Sequence, residues 1–552
     1  MLPPRPSLPV TFMLATPCRL LGWFVCACVA LGASSSLLQA ADAEPLTKRI
    51  DRLIEAKYSG PRAAQADDAE LVRRTYLDLV GRVPTVAEVR EYLNDKAGDK
   101  RVKLVDRLLA SPEHPRRMAE AFHAMLMERR GEHDEWTKFL TAAFAKNMPW
   151  DELARHLVDP RDDDEALRGA AFFAVNRLSK VGQQETDYPG LTRDIGRLLL
   201  GKDLACAQCH NHLFIDDYKQ VDFQGLYTVF LNTAIRTDVK FPAVGENLMT
   251  KPIEFMSVFE KKPLATGPRV PGLKEIAIPA FAKGEEYLTP PDRKTKQMGV
   301  PKFSPLEELA RQITSRDNRA FRENIANRMW WLAMGRGLVD PLDQAHGANP
   351  ASHPELLTLL ADEMLARKYD LRGFLRELVL TDVYARGSEW DAKNGTRPEP
   401  ATYATAVAKP LSAEQMYHSY LAASGPHGEN AHDAKALRER FTKAFANPPK
   451  EPEIEFTPSV KAALFLSNDD EVLRLTVRHE GNLVDRLTAI DKEKGADAAA
   501  EELYLAVLAR KPTTDETAEV AELVKKYKDN RPQLFGQLAW ALLSSTEFCL
   551  NH

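Results

Sequence analysis

A repeated helix-start signature constrains the fold of this chain more than any other feature. In it, Ser or Thr is followed three residues later by Glu or Gln, so that the two side chains and two backbone N–H groups of a first helical turn can bond reciprocally. The signature occurs at Thr85/Glu88, Ser304/Glu307, Ser352/Glu355, Ser412/Gln415 and Thr513/Glu516. Apolar residues recur at helical spacing between these points, as in Leu371, Phe374, Leu375, Leu378 and Val379. The pattern predicts a mainly α fold.

The middle of the chain departs from this pattern. From residue 236 to 300 the sequence is rich in Pro and Gly and holds short β-like runs at 237–241, 254–259 and 275–278. We therefore predict two multi-helix halves, residues 42–235 and 301–552, joined by a small β-containing linker or subdomain at 236–300. A chain of 552 residues is long enough for this division.

The N-terminus has the layout of an export signal. Arg5 and Arg19 accompany an apolar stretch from 20 to 38, and small residues follow, so that cleavage after Ala40 or Ala43 is expected. We predict a signal peptide at 1–41 and an exported protein that is periplasmic, envelope-associated or secreted. No later segment is apolar over about 18 residues, which predicts no transmembrane helix in the mature chain.

Charge and cysteine content narrow the class of protein further. The formal net charge of −5 argues against a nucleic-acid binder, which normally carries a basic surface. Three of the six cysteines lie in the predicted signal, which leaves Cys206, Cys209 and Cys549. An exported chain of this length with so few thiols is held together by its core rather than by disulfides.

The close pair, Cys206 and Cys209, belongs to a C-x-x-C-H string that ends in His210. This spacing lets two thiols bond to the vinyl groups of a haem while the following histidine ligates its iron. We therefore treat Cys206, Cys209 and His210 as candidate ligands of a c-type haem. Export favours this interpretation, and the sequence does not identify a distal ligand.

Two other interpretations of the same segment remain open. A zinc site could draw on sulfur, nitrogen and oxygen ligands; the candidate set is Cys206, Cys209, His210, His212 and Asp216. Alternatively, Cys206 and Cys209 could close a structural or redox-active disulfide, in which case the segment binds no cofactor.

Several longer motifs carry a resemblance to a known family. The segments 73–85 (RRTYLDLVGRVPT), 104–112 (LVDRLLASP) and 206–212 resemble the N-terminal domain of a planctomycete family of unknown function. That domain is called PSCyt-type because it often accompanies cytochrome c-like domains. In this chain Leu213 stands where the family usually has proline, and 215–218 (IDDY) stands where a tryptophan usually follows.

The second half resembles the usual C-terminal companion of that domain, called PSD-type. The resemblance rests on 327–330 (NRMW), 335–341 (GRGLVDP), 352–357 (SHPELL), 369–371 (YDL) and the final motifs 502–505 and 542–548. It implies an exported protein of a planctomycete-like bacterium. It implies no established reaction, and whether the chain is an enzyme stays open.

A dense polar and aromatic cluster in the second half could line a pocket. Its members are Asn327, Arg328, Trp330, Trp331, Arg336, Asp340, Asp343 and His353. Trp combined with Arg and Asp commonly binds a sugar or a carboxylate. The same residues could instead form an internal network that locks two helices together, with the Trp ring in the core.

Two functions from different classes follow from these features. In the first, the protein is an exported haem or redox accessory that uses Cys206, Cys209 and His210 and serves a redox or envelope protein partner. In the second, it is a non-catalytic envelope binding or scaffold protein in which the C-x-x-C-H-x-H segment is a disulfide or zinc staple. The sequence does not indicate an oligomeric state.

Overall fold

The computed structural model describes residues 44–180, 182–292, 294–426, 431–451, 460–527 and 529–552. It is 54% helical, and its strands form only two-stranded sheets, so the predicted mainly α class is confirmed. Across the described ranges, no helix has the length and apolar content needed to span a bilayer. The predicted signal peptide, residues 1–41, lies outside the described residues.

Ten α-helices make up most of the described chain between residues 44 and 231. They are α1 (Leu46–Lys57), α2 (Asp68–Leu79), α3 (Val86–Asn94), α4 (Lys100–Leu109), α5 (Glu113–Met127), α6 (Asp134–Ala145), α7 (Trp150–Val158), α8 (Phe172–Leu178), α9 (Tyr188–Leu200) and α10 (Gln220–Leu231). Short 3₁₀ turns at Arg168–Ala171 and Cys206–Gln208 precede α8 and α10.

Three antiparallel hairpins occupy the middle segment, pairing β1 with β2, β3 with β4 and β5 with β6. The strands are β1 (Thr233–Ile235), β2 (Val244–Glu246), β3 (Ile253–Met256), β4 (Pro263–Thr266), β5 (Tyr287–Thr289) and β6 (Val300–Pro301). The predicted run 254–259 overlaps β3. The runs 237–241 and 275–278 are wrong as strands, because neither finds the cross-strand partner on which a strand depends. The first instead connects β1 to β2.

The chain returns to helices after the hairpins. They are α11 (Pro305–Ile313), α12 (Arg319–Met334), α13 (Pro354–Ala366), α14 (Leu371–Val379), α15 (Ala413–Ser424), α16 (Ala431–Phe445), α17 (Val460–Asn468), α18 (Asp470–Arg474), α19 (Leu483–Lys494), α20 (Ala496–Leu508), α21 (Thr514–Lys526), α22 (Arg531–Leu543) and α23 (Thr546–Cys549). A last small sheet pairs β7 (Lys409–Pro410) with β8 (Leu550–Asn551).

The helix starts follow the predicted signatures closely. Thr85, Ser412 and Thr513 form complete capping boxes, and Ser304 accepts a hydrogen bond from the N–H of Glu307 at 3.0 Å. The prediction at Ser352 is wrong: α13 begins one residue later, and its N-cap makes no side-chain bond. Pro at the first helical position fixes that start, because its ring already has the helical φ.

Two hydrophobic cores hold the helices together. The first combines residues from 46–230 with residues from 306–403. Trp150 of α7, for example, stacks on Phe321 of α12 with ring centroids 6.3 Å apart. Helix α1 contacts α13, α4 contacts α14, and α9 contacts α12. The domain division predicted from sequence stays a prediction, but this core includes helices from both sides of the middle segment.

The second core is formed mainly by α15 to α22. Leu77, Val83, Val86 and Val89, which come from α2, α3 and their connection, also pack into it. The two cores therefore meet along α2. The junction is polar there: Asp78 accepts hydrogen bonds from Lys409 Nζ at 2.6 Å and from Asn551 Nδ2 at 2.8 Å.

Candidate functional site

The C-x-x-C-H segment forms a surface loop between α9 and α10. Leu204 and Ala207 are fully buried in the first core and anchor the loop. Cys206 begins the 3₁₀ turn and Cys209 directly follows it, and both are exposed free thiols. The loop therefore presents both sulfur atoms to solvent from a fixed base.

Hydrogen bonds to the backbone hold this loop in place. The carbonyl of Gln208 accepts a bond from Gln224 Nε2 at 3.1 Å, and the side chain of Gln208 accepts one from Arg193 at 2.9 Å. The carbonyl of Cys209 accepts the N–H of Val258 at 3.2 Å, which joins the loop to the residues after β3. These contacts fix the backbone around both thiols.

His210 has one ring nitrogen engaged and the other available. Its Nδ1 lies 2.6 Å from the carbonyl oxygen of Asn211. A carbonyl can only accept, so Nδ1 carries the proton and a neutral ring leaves its lone pair on Nε2. The ring packs against Phe259 with centroids 4.7 Å apart. His210 is thus held in the tautomer that suits a metal ligand.

His212 has the opposite arrangement. Its Nδ1 accepts the backbone N–H groups of Phe214 and Ile215 at 3.1 and 3.0 Å. A neutral ring with an accepting Nδ1 carries its proton on Nε2, so neither nitrogen has a free lone pair. The imidazole of His212 therefore shapes the turn after the motif, and it would have to break these bonds to bind a metal.

The structure does not bring the five predicted zinc ligands together. Asp216 extends into solvent, and within the described residues its one ion pair is with Lys219, at 3.4 Å. Within the described ranges, no group of three or more His, Cys, Asp or Glu is placed to hold a metal ion. Two accessible thiols with one available imidazole nitrogen match the protein donors of a c-type haem, whereas structural zinc usually takes four.

Exposed apolar side chains surround the motif. Phe214 is 87% exposed and Phe259 is 62% exposed, and we call them, with Leu213, Met256 and Val258, the loop patch. Phe259 contacts His210 directly, and Val258 bonds to Cys209 through its backbone. Large apolar side chains left in water in one region of a surface usually mark a binding site.

The polar and aromatic cluster predicted around α12 does not form a single pocket. Asn327 is buried and bonds to its own chain: its Oδ1 accepts the N–H groups of Leu338 and Val339 at 2.7 and 3.1 Å, and its Nδ2 donates to the carbonyl of Val339 at 2.8 Å. Arg336 and Asp340 pair at 2.8 Å in a half-exposed contact away from the core.

Trp330 and His353 are core residues. Trp330 is fully buried and meets Tyr403 edge-on, with centroids 5.3 Å apart. The ring of His353 lies 5.6 Å from the same tyrosine, and burial lowers the pKa of His353 to about 4. The internal-network interpretation describes these two residues better than a ligand pocket does.

A cavity of about 280 Å³ opens instead at the junction of the two cores, and three members of the predicted cluster line it: Arg328, Trp331 and Asp343. The sequence reasoning missed most of its charged lining. Arg117, Glu120, Ala121, Ala124 and Glu128 lie on one face of α5 and its C-cap, at spacings of three and four. Charged residues at core-facing helical positions are the signal that could have revealed this cavity.

One wall of the cavity is a network of ion pairs. Arg197 binds Glu128 through two bonds of 2.6 and 2.8 Å and also reaches Asp343 at 2.8 Å. Arg328 donates to the other oxygen of Asp343. Asp194 of α9 joins this network. Arg177 of α8 and Arg197 of α9 outweigh the effect of burial and lower the pKa of Asp194 to about 2.

Two segments of the chain match models of known protein families. Residues 49–234 match the family model PSCyt2, a protein of unknown function (DUF1549), and residues 306–448 match PSD1, a protein of unknown function (DUF1553). Neither a curated protein nor a solved structure matches the chain.

Proposed function

The chain belongs to the family in which a PSCyt2 domain is followed by a PSD1 domain, and from this premise we propose that it is an exported c-type haem protein. Cys206 and Cys209 would hold the haem covalently, and His210 would ligate its iron. The observation that carries the proposal is the state of His210: its Nδ1 proton is committed to the carbonyl of Asn211, which leaves Nε2 for iron.

The loop offers what attachment requires. Each thiol would add across one vinyl group, so that sulfur bonds to one carbon and the thiol proton goes to the other, and no oxidant would be consumed. Both sulfurs are accessible, and the anchored backbone of Ala207 keeps them on the same turn. The loop patch supplies apolar side chains against which a porphyrin face can pack.

A bound haem supplies one-electron transfer. The residues of this chain would tune that chemistry in two ways. The hydrogen bond from His210 Nδ1 to the carbonyl of Asn211 would raise the basicity of the ligand. Phe259 would exclude water from one side of the His210 imidazole. The site lies at the surface, so the electron partner would be another protein that docks on the loop patch, in keeping with a redox or envelope partner.

The test is to express the exported chain in a host with haem-attachment machinery and record its visible spectrum. We expect a haemochrome band that is lost in Cys206→Ala and Cys209→Ala and shifted in His210→Met. Cys549→Ala is the matched thiol control and should keep the full band, because Cys549 packs against the second core.

His212→Asn tests the tautomer argument. Since His212 uses Nδ1 to accept backbone N–H groups, an amide oxygen can replace it, and the haemochrome band should persist. A colourless wild-type protein would refute the proposal. Stoichiometric zinc in that protein, or a Cys206–Cys209 disulfide that stabilises it, would instead support the alternative of an envelope scaffold with a stapled loop.

A further inference from the structure

The cavity at the junction of the two cores has the composition of a ligand site, independently of the loop that carries the thiols. It is lined by α5, α9 and α12 on one side and by α15 and the β7–β8 sheet on the other. Its volume of about 280 Å³ is near the lower end of small-molecule pockets. Ala121, Ala124, Leu332 and Leu411 provide an apolar surface, and the half-buried Trp331 adds an aromatic one.

Each carboxylate that lines the cavity has a basic partner. The pairs are Asp78 with Lys409 at 2.6 Å, Glu120 with Arg438 at 3.6 Å, Glu128 with Arg197 at 2.6 Å, Asp343 with Arg328, and Glu414 with Arg129 at 2.5 Å. Burial opposes the ionisation of Glu414, but Arg129 outweighs it and lowers the pKa of Glu414 to about 2.

Arg117 is the exception among the cations of the lining. Its side chain comes from α5 and the residue is only 6% exposed. No described residue forms a hydrogen bond or an ion pair with its guanidinium, and its Nε is buried without a partner. Asp78, Glu120 and Glu414 act on Arg117 only from beyond ion-pair distance. An unpaired buried charge is among the costliest arrangements in a protein interior.

We propose that this cavity binds a small organic acid whose single carboxylate pairs with Arg117. A guanidinium matches a carboxylate with two parallel bonds. The other charges of the described lining are already neutralised, so the one free cation balances one negative charge. The second negative charge of a phosphate dianion would have no cation to balance it. Glu120 Oε2 is also buried without a partner, and it would accept a bond from a ligand hydroxyl.

The ligand class is therefore a hydroxylated monocarboxylate of sugar-acid size, with one face against Trp331. Glucuronate is the probe that meets each condition, and glucose is its neutral counterpart of nearly the same shape. Inorganic phosphate tests whether charge alone is sufficient. The experiment is a calorimetric titration of the full chain with each of the three.

We expect glucuronate to bind and glucose and phosphate to bind at least about tenfold more weakly, because charge-assisted bonds to a buried arginine are strong. Arg117→Met, which keeps the apolar stem, should weaken glucuronate at least about tenfold. Arg116→Met is the matched control, because Arg116 donates to the carbonyl of Val80 at 2.9 Å and does not line the cavity. The Arg116→Met variant should bind glucuronate with the affinity of the wild type.

A second measurement requires no ligand. Because Arg117 lacks a partner, Arg117→Met should raise the midpoint of urea unfolding of the unliganded chain. A lowered midpoint would mean that the guanidinium has a structural partner, and it would overturn the proposal. No glucuronate binding up to about 10 mM, or equal binding to wild type and Arg117→Met, would overturn it as well. Equal affinity for phosphate would overturn the monocarboxylate class.

Discussion

Replacing Asn327 with Ala is the sharpest test of whether the α12 cluster is structural. The amide of Asn327 makes three hydrogen bonds, to the N–H groups of Leu338 and Val339 and to the carbonyl of Val339. Each such bond contributes about 1 kcal/mol net, and each partner left buried and unpaired costs about 1–3 kcal/mol. We therefore expect Asn327→Ala to lower the free energy of unfolding by about 3–5 kcal/mol.

The measurement is urea unfolding followed by far-UV circular dichroism, with the slope compared between variants. Asn394→Ala is the matched control: its side chain is exposed and bonds to no described residue, so its effect should stay within about 0.5 kcal/mol. A loss below about 1 kcal/mol in Asn327→Ala, with an unchanged slope, would refute the assignment. The Asn327 amide would then be available for a ligand.

Two further changes test the packing and the electrostatics. Gly169→Ala should destabilise the chain by about 2 kcal/mol or more in the same assay, because the new Cβ would lie 2.1 Å from the carbonyl oxygen of Glu135. Gly98→Ala, which meets nothing within 4 Å, should be tolerated. Burial raises the pKa of Glu246 to about 7, so protonation of this carboxyl stabilises the fold. The stabilisation is complete below about pH 4.5 and is lost as the pH rises through about 7. Glu246→Gln, whose oxygen can still accept the N–H of Leu306, should be more stable than the wild type above pH 7, by up to about 3 kcal/mol, and this difference should vanish near pH 4.5. A difference independent of pH would contradict the assignment.

The helices of this protein can be predicted from the sequence because the residues that start and end them are close together along the chain. Thr85, Ser412 and Thr513 each form the predicted cap with a residue three positions later, and Gly335 ends α12 with the left-handed φ of 79° that glycine adopts easily. The C-x-x-C-H spacing is local in the same sense, so the sequence alone identifies this loop.

The cavity was not predictable in this way because its partners are distant in sequence. Asp78 pairs with Lys409, and Arg197 with Asp343, across separations that no local pattern encodes. The prediction that the α12 cluster lines a single pocket was wrong for a related reason. Consecutive helical residues point about 100° apart, so Asn327, Arg328 and Trp330 face a loop, the cavity and the core respectively.

The shared first core has a consequence for how such genes can change. Helices α1 to α10 belong to the segment matched by PSCyt2, and α11 to α14 lie almost wholly in the segment matched by PSD1, yet they bury one another's apolar faces. A recombination event that separated the two segments would leave each of them with an incomplete hydrophobic core. Selection should therefore transmit them together and in this order, and new domains should be gained by fusion outside the pair. Among the described residues between α10 and α11, Val270 alone is buried in that core, so an insertion elsewhere in this segment would leave the shared interior intact.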